Sequence, residues 1–544
     1  MSKIKIFALG GLDEDGKNTY CIDVDNNLFI FDCGLKYANE NLYGIDYITA
    51  DFSYLEKNRK RIKGVFITHG HYENMGALKD LVKSVKNIRI FATKFTKKML
   101  VFDGVPEESI YEIIAHKKLV FGDVSIFPIN VNHSCPDAVM YVINTPDGAI
   151  CYTGDFIIDP AMNKCFDMDL GRIAYVGKQG VLALLSESPF SEKNGFTSPN
   201  HRLKDFFKDT INRNKERIIF LVLPTNIYNL QEILDGAENT HRKVIAMGKK
   251  LQYLLKMGKE EGYLFYSDNM LGDLNNVNDH DAIILVSDDR ENQYGSISKI
   301  LNGYDKYIKL KNNDTVVFAE PKYDSTEKIL VKVQNELAEE GCRIINLPKD
   351  KTLLQHASSE DLLLMLKLLN PKYYIPVRGE YRYMVNNANL VNSIGFPSEN
   401  IILKQNGDVI EIENGQLLDT YEHIKVNDIL IDGKSSDDVG DLVIKDREML
   451  SENGIVLISA TLSKKDKHIL VEPKITTRGF IYVKDSAEMI EEIKKISLAV
   501  IERNITTNYV DFNNIKNEIR EDLGKYLYQE TECKPMIIAV VQEV

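Results

Sequence analysis

The sequence predicts an α/β protein of several domains, and three features predict it. The chain has 544 residues, more than one hydrophobic core organises, so roughly two to four domains are expected. Short β-rich runs fill the first third, and a βαβ rhythm follows from about residue 181 to residue 348. A polar stretch, Asp432-Gly433-Lys434-Ser435-Ser436-Asp437-Asp438-Val439-Gly440, then sets apart a last α+β pattern.

Residues 3–9, 19–24, 28–32, 64–68, 124–130, 138–145 and 149–153 read as strands, because apolar and β-branched residues gather there between turn signals. After His71 the period changes. Leu78, Leu81, Val82 and Val85 fall at i, i+3, i+4 and i+7, one face of a helix. Apolar strands at 181–185, 218–223, 243–247, 282–286, 315–318 and 343–347 alternate with helices such as 231–239 and 327–340. That alternation predicts a mostly parallel sheet covered on both faces. A helix at 360–369, a strand at 372–377 and a helix at 381–391 follow. Beyond the polar stretch, strands near 454–462 and 480–483, helices near 487–501 and 512–523, and a strand at 535–541 close the chain.

Composition excludes several classes. With 44% hydrophobic and 27% charged residues the chain is ordinary globular protein. No apolar run reaches the roughly 18–20 residues that span a membrane, and the start, Met1-Ser2-Lys3-Ile4-Lys5-Ile6-Phe7, lacks the pattern of a signal peptide. A cytoplasmic protein without a membrane partner is expected. The seven cysteines are scattered, odd in number and form no C-x-x-C pair, so neither a disulfide framework nor a thiolate zinc site is expected. The net charge of −13 excludes binding of polyanions by bulk attraction. Any nucleic acid must be met by a local groove or pocket.

One cluster carries chemistry. Thr68-His69-Gly70-His71-Tyr72-Glu73-Asn74 follows the apolar run Gly64-Val65-Phe66-Ile67 and precedes a helix. Strand ends that feed helices are where α/β folds put ligand sites, and His-x-His in a tight turn can aim two neutral imidazoles at one ion. Asn132-His133-Ser134 and Thr153-Gly154-Asp155-Phe156 also follow strands. His69, His71, His133 and Asp155 therefore form a candidate four-coordinate metal site.

At these residues the chain resembles ribonuclease J. The likeness also runs through Phe7-Ala8-Leu9-Gly10-Gly11, Gly16-Lys17-Asn18-Thr19-Tyr20, Gly44-Ile45-Asp46-Tyr47, His133-Ser134-Cys135-Pro136-Asp137, Gly379-Glu380-Tyr381-Arg382, Thr477-Arg478-Gly479-Phe480 and Lys534-Pro535-Met536-Ile537-Ile538, in order along nearly the whole chain. The resemblance implies a metallo-β-lactamase αββα sandwich interrupted by a β-CASP parallel-sheet domain, plus a small α+β C-terminal domain used in oligomerisation. On this reading residues 1–195 and 352–425 form the sandwich, 196–351 the β-CASP domain, 426–440 a linker and 441–544 the C-terminal domain. It also implies RNA as substrate, cut from the 5′ end and internally by a two-metal site.

The chain departs from the family pattern at several positions. The family's H-x-H-x-D-H reads His69-Gly70-His71-Tyr72-Glu73-Asn74, and the family's further histidine ligand is Arg378 in Val377-Arg378-Gly379-Glu380-Tyr381. The resemblance is thus to the degenerate second paralogue of the family. It implies that the first metal site keeps His69, His71, His133 and Asp155, while Glu73, Asn74 and Arg378 replace the second. Arginine stays protonated and cannot ligate a cation. At most one zinc or manganese ion is expected, with the Arg378 guanidinium in the second ion's space, paired with Glu73 or Asp155, or else turned to solvent beside an eroded pocket. On the substrate side, Leu354-Gln355-His356-Ala357-Ser358 keeps only the histidine of the family's S-G-H-G, and Ser287-Asp288-Asp289-Arg290-Glu291-Asn292 replaces a glycine-rich loop. Asp155, Glu187 and His356 are the candidate catalytic residues, and His356 a candidate phosphate donor. The expected partners are RNA and a paralogous ribonuclease J subunit or a second copy of the chain. The reading is of a weakly active or inactive subunit, with an active single-metal ribonuclease as the alternative.

Overall fold

The structure, a computed structural model, describes residues 2–38, 44–288, 294–322, 326–432, 441–480, 487–505 and 510–544. The chain forms two compact units. One comprises Met1–Ala38 and Asp46–Ile431, the other Asn39–Ile45 and Asp432–Val544.

The first unit contains two facing sheets. The eight-stranded sheet runs Gln416–Leu417, Ile410–Glu413, Lys3–Gly10, Thr19–Val24, Asn27–Phe31, Ile62–Phe66, Ile90–Ala92 and Ile110–Glu112. The six-stranded sheet runs Pro371–Pro376, Val181–Ser186, Gly148–Tyr152, Val139–Thr145, Val124–Asn130 and Leu119–Phe121. Ile6, Tyr20, Phe29, Phe31 and Phe66 from one sheet meet Ile126, Tyr141, Ile143 and Ile150 from the other in a buried core. Helices Leu78–Ser84 and Lys94–Phe102 cover the outer face of the first sheet through Leu78, Leu81, Phe95 and Met99. Helices Leu170–Gln179 and Ser359–Leu369 cover the second through Ile173, Leu362 and Met365. Each sheet is apolar on both faces, so each needs a layer on either side. The result is the αββα sandwich the resemblance implies.

The sandwich is interrupted after Val181–Ser186. The chain builds a five-stranded, wholly parallel sheet in the order Val244–Ala246, Ile283–Val286, Ile218–Val222, Thr315–Ala319 and Arg343–Asn346. It then returns to pair Pro371–Pro376 in parallel with Val181–Ser186. The strand at 181–185, read as the first of the βαβ series, therefore belongs to the sandwich. A local rhythm does not say which sheet a strand joins; that is decided by its partners, here Gly148–Tyr152 and Pro371–Pro376.

In the second unit, helices Ala487–Arg503 and Phe512–Thr531 pack Ile493, Val500, Ile519 and Leu523 onto Val456 and Ile458 of a three-stranded sheet. Its order is Ile469–Arg478, Ile455–Leu462, Met536–Glu543. The strand Ile469–Arg478 was not expected, because Glu472-Pro473-Lys474 breaks its apolar pattern. Among the described residues it pairs on one side, and its register breaks at Glu472-Pro473, where proline is tolerated. Of the strand expected at 480–483, Phe480 lies in a bend and the rest is outside the described residues, as is 433–440 of the expected linker. The start of that linker is ordered instead: Asp428–Ile431 pairs antiparallel with Tyr47–Ala50.

Candidate metal centre

His69 and His71 lie in the turn between strand Ile62–Phe66 and helix Tyr72–Met75. The turn hangs on Asp32, at the end of the neighbouring strand Asn27–Phe31. Asp32 Oδ1 accepts from the Thr68 backbone N at 2.8 Å, and the Thr68 hydroxyl stands 3.0 Å from each Asp32 oxygen. The same hydroxyl is 3.0 Å from His69 Nδ1. A hydroxyl proton given to Asp32 leaves its oxygen to accept from His69 Nδ1–H. That assigns the tautomer and turns the Nε2 lone pair toward the centre. Burial pushes the Asp32 carboxyl up to about 6, against hydrogen bonds from Thr68, Asn74 and Tyr152 that lower it.

His133 follows strand Val124–Asn130, and Asp155 follows Gly148–Tyr152. Gly154, just before Asp155, has φ +58°, and a Cβ there would lie 2.9 Å from Thr68 side-chain carbons. The backbone beyond Asp155 is held amide by amide. Phe156 N donates to Glu187 Oε1 at 2.8 Å, Ile157 N to the Asn132 carbonyl at 3.0 Å, Ile158 N to Asp361 Oδ1 at 2.9 Å, and Asp159 N to Asn132 Oδ1 at 2.9 Å.

These loops bring the four expected ligands together. His71 Nδ1 stands 3.1 Å from His69 Nε2 and 3.0 Å from His133 Nε2, and His69 Nε2 is 3.4 Å from Asp155 Oδ2. All four ligand atoms lie within 4.8 Å of one another. Four atoms bound tetrahedrally to zinc at about 2.0–2.1 Å would be about 3.3–3.4 Å apart. His71 Nδ1 faces two ring nitrogens at once, and a single proton can serve only one of them. Burial, with the other ring or rings and the Arg378 charge, pushes His69 and His133 well below the ordinary histidine range. Burial brings His71 down to about 4, with Glu73 opposing. The rings are thus in the neutral, ligand-competent form. Asp155 Oδ1 is buried with no hydrogen-bond partner among the described residues. The residues present fit a divalent cation.

The other half of the expected site is different. Arg378 Nη1 donates to Asp155 Oδ2, and the Asn74 Oδ1 atom lies 3.4 Å from the same nitrogen. Asn74 Nδ2 donates to Asp32 Oδ2 at 2.8 Å, so Asn74 joins the guanidinium to the buried acid. Of the two carboxylates considered for Arg378, the paired one is Asp155. Glu73 is half-buried and acts on His71 through its charge. Arg378 has φ +57°, which is costly for a residue with a Cβ. The turn is pinned by Gly379, whose N and carbonyl both bond Glu14 at 3.1 Å.

Glu187 and His356 flank the centre. Glu187 Oε2 is 2.7 Å from His356 Nδ1, and Oε1 also accepts from Ala357 N at 3.2 Å. Glu187, His356 and Asp155 have ligand atoms within 4.8 Å of one another. The loop 287–292 is described only to Asp288, whose carboxylate accepts from Ser296 N and Oγ. Asp32, Asn132 and Asp361 support the centre and were not anticipated. Asp32 ends a strand as Asp155 does, and Asp361 stands third after Ser358 in a capping box; both signals were present.

Three comparisons bear on the chain. Residues 29–169 match the beta-lactamase superfamily domain, 215–337 the Ribonuclease J beta-CASP domain, and 442–544 the Ribonuclease J C-terminal domain. The chain is 32% identical to "Ribonuclease J2" of Bacillus subtilis, covering 99% of each. It is 30% identical to "Ribonuclease J 2" of Streptococcus pyogenes serotype M3, covering 100% of each. It is also 30% identical to "Ribonuclease J 2" of Staphylococcus epidermidis, covering 99% of this chain and 98% of that one. A solved protein of unknown function from Enterococcus faecalis aligns with 76% of the chain and 100% of its own length, at TM-score 0.53 and 15% identity, a likeness of fold.

Proposed function

This chain belongs to the ribonuclease J family, and from that premise we propose that it is a subunit of RNA processing and decay with a single-cation centre and little nuclease activity of its own. The observation that carries the reading is the pairing of Arg378 Nη1 with Asp155 Oδ2 beside an otherwise convergent His69, His71 and His133. A zinc or manganese ion would be held by those three rings and Asp155. When bound, it supplies positive charge that polarises a phosphodiester oxygen. Two-metal hydrolysis clamps both the attacking and the leaving oxygen. A guanidinium supplies charge without a ligand position, so it stands in for only part of that clamp.

The remaining groups bind and orient. Glu187 Oε2, 2.7 Å from His356 Nδ1, holds the imidazole beside the centre, where it would contact a bound phosphate. The partner proposed is a catalytically complete ribonuclease J subunit, joined through the C-terminal unit, in the cytoplasm. Among the described residues no helix is long and apolar enough to cross a membrane, and all seven cysteines are free. A second reading, an active single-metal ribonuclease, is favoured by the Glu187–His356 pair beside the centre.

Metal content and decay of a 5′-monophosphorylated RNA, measured on one preparation, test the proposal. One ion or fewer per chain, slow decay, and co-purification with a catalytic paralogue are expected. Two ions with rapid decay would defeat it. One ion with rapid decay that His71→Ala abolishes would establish the second reading.

A further inference from the structure

Asp361 is fully buried and accepts three backbone amides from three separate segments. Oδ1 takes Ile158 N at 2.9 Å; Oδ2 takes Thr197 N at 2.9 Å and Ser358 N at 3.0 Å. Ile158 lies three residues beyond Asp155, and Ser358 lies two beyond His356. Thr197 lies where the chain leaves the sandwich for the inserted five-stranded sheet. The Thr197 hydroxyl adds a bond to the His356 carbonyl at 2.5 Å and faces Ser358 Oγ at 2.7 Å. Asp361 also caps helix Ser359–Leu369, but that cap uses only the Ser358 amide. The bonds to Ile158 and Thr197 are not needed to start a helix. Burying a carboxylate is costly unless N–H groups surround it, and here those groups come from the segments that carry Asp155 and His356.

We propose that Asp361 is a positioning residue. Its one carboxylate holds the Asp155 loop, the His356 loop and the first segment of the inserted domain in a fixed relation. Only the metal arm of the test below rests on the cation reading of the centre.

Amide hydrogen exchange on the full chain in chelator, followed by zinc titration, tests this. Asn at 361 keeps one acceptor and turns an NH₂ group toward one set of donors. In Asp361→Asn, exchange at 156–159 and at 356–358 should rise together, by about tenfold or more for a lost charge-assisted bond. Zinc affinity should fall about 10–100-fold, as when an outer partner of a ligand is removed. Glu232→Gln is the control. It makes the same change at a buried carboxylate that accepts the Leu203 amide in the inserted domain. It should leave both readouts unchanged, which shows that altering a buried carboxylate elsewhere in the chain does not by itself expose the two loops.

Wild-type protection of the two loops in Asp361→Asn, or an equal loss in Glu232→Gln, overturns the proposal. A wild-type chain that binds no zinc defeats the cation reading and leaves the exchange arm to decide this one. Should Asp361→Asn not fold, native-state exchange of the wild type in mild urea decides. Amides of Ile158, Thr197 and Ser358 held by one group should open as one unit, with a shared denaturant dependence. Three unrelated dependences overturn it.

Discussion

Arg378 and Asp155, 223 residues apart in the chain, are joined by a guanidinium–carboxylate bond in a pocket where their side chains are 6% and 1% exposed. Removing one partner leaves a buried charge alone. In chelator, Arg378→Met is expected to lose about 3–5 kcal/mol of unfolding free energy, read from urea denaturation. Added zinc should return part of that loss, since a cation on Asp155 restores the missing charge. An unchanged midpoint in chelator would mean that the pair does not neutralise Asp155.

His71 Nδ1 is the atom that both other rings face. His71→Ala should reduce zinc retained after dialysis to under about a tenth of wild type, in line with the loss of one of four ligands. Without metal His71 Nδ1 faces two ring nitrogens and a single proton serves only one of them, so the metal-free thermal midpoint should stay close to that of the metal-free wild type. Retention of zinc by this variant would place the ion elsewhere.

In the inserted domain, Arg217 is 1% exposed. It donates Nε to Asp314 Oδ1 at 2.9 Å, Nη1 to the Val277 carbonyl at 3.0 Å and Nη2 to the Lys309 carbonyl at 2.6 Å. Arg217→Met strands all of these acceptors and should cost about 3–5 kcal/mol. Zinc affinity should not change, because the network touches none of the four ligands. Equal loss of metal would show that the two sites are coupled.

Glu232 is raised to about 7 by burial, with Asn229 and the Leu203 and Lys204 amides opposing and Asp235 adding to the rise. Its folded value lies above the unfolded one, so folding binds a proton. The contribution to stability is full below about pH 4.5 and is lost as pH rises through about 7, on the order of 3 kcal/mol at most. Stability of the wild type relative to Glu232→Gln should therefore decline between pH 5 and pH 8. Parallel stability–pH curves for the two proteins would contradict this.

Much of the centre was legible in the sequence because its ligands obey a local rule. His69, His133 and Asp155 each follow an apolar strand, and strand ends are places a sheet holds rigid. The parallel inserted sheet was legible for a similar reason: its strands are apolar throughout, as burial on both faces requires. Less legible were elements whose sequence carries mixed signals. Ile469–Arg478 tolerates Pro473 because the pairing register breaks there on an edge strand, and Asp428–Ile431 is a strand because Tyr47–Ala50 lies beside it.

Residue identity alone says which side chains can bind a cation and that Arg378 cannot, since ionisation chemistry belongs to the residue type. It is the packing of the folded chain that turns Arg378 to Asp155 through a left-handed backbone pinned by Glu14, and that sets Asp32 and Asp361 to brace the loops from behind. Those are contacts between segments tens to hundreds of residues apart. Whether two such groups meet depends on how the sheets stack and where the inserted domain leaves and returns, and no local pattern records that.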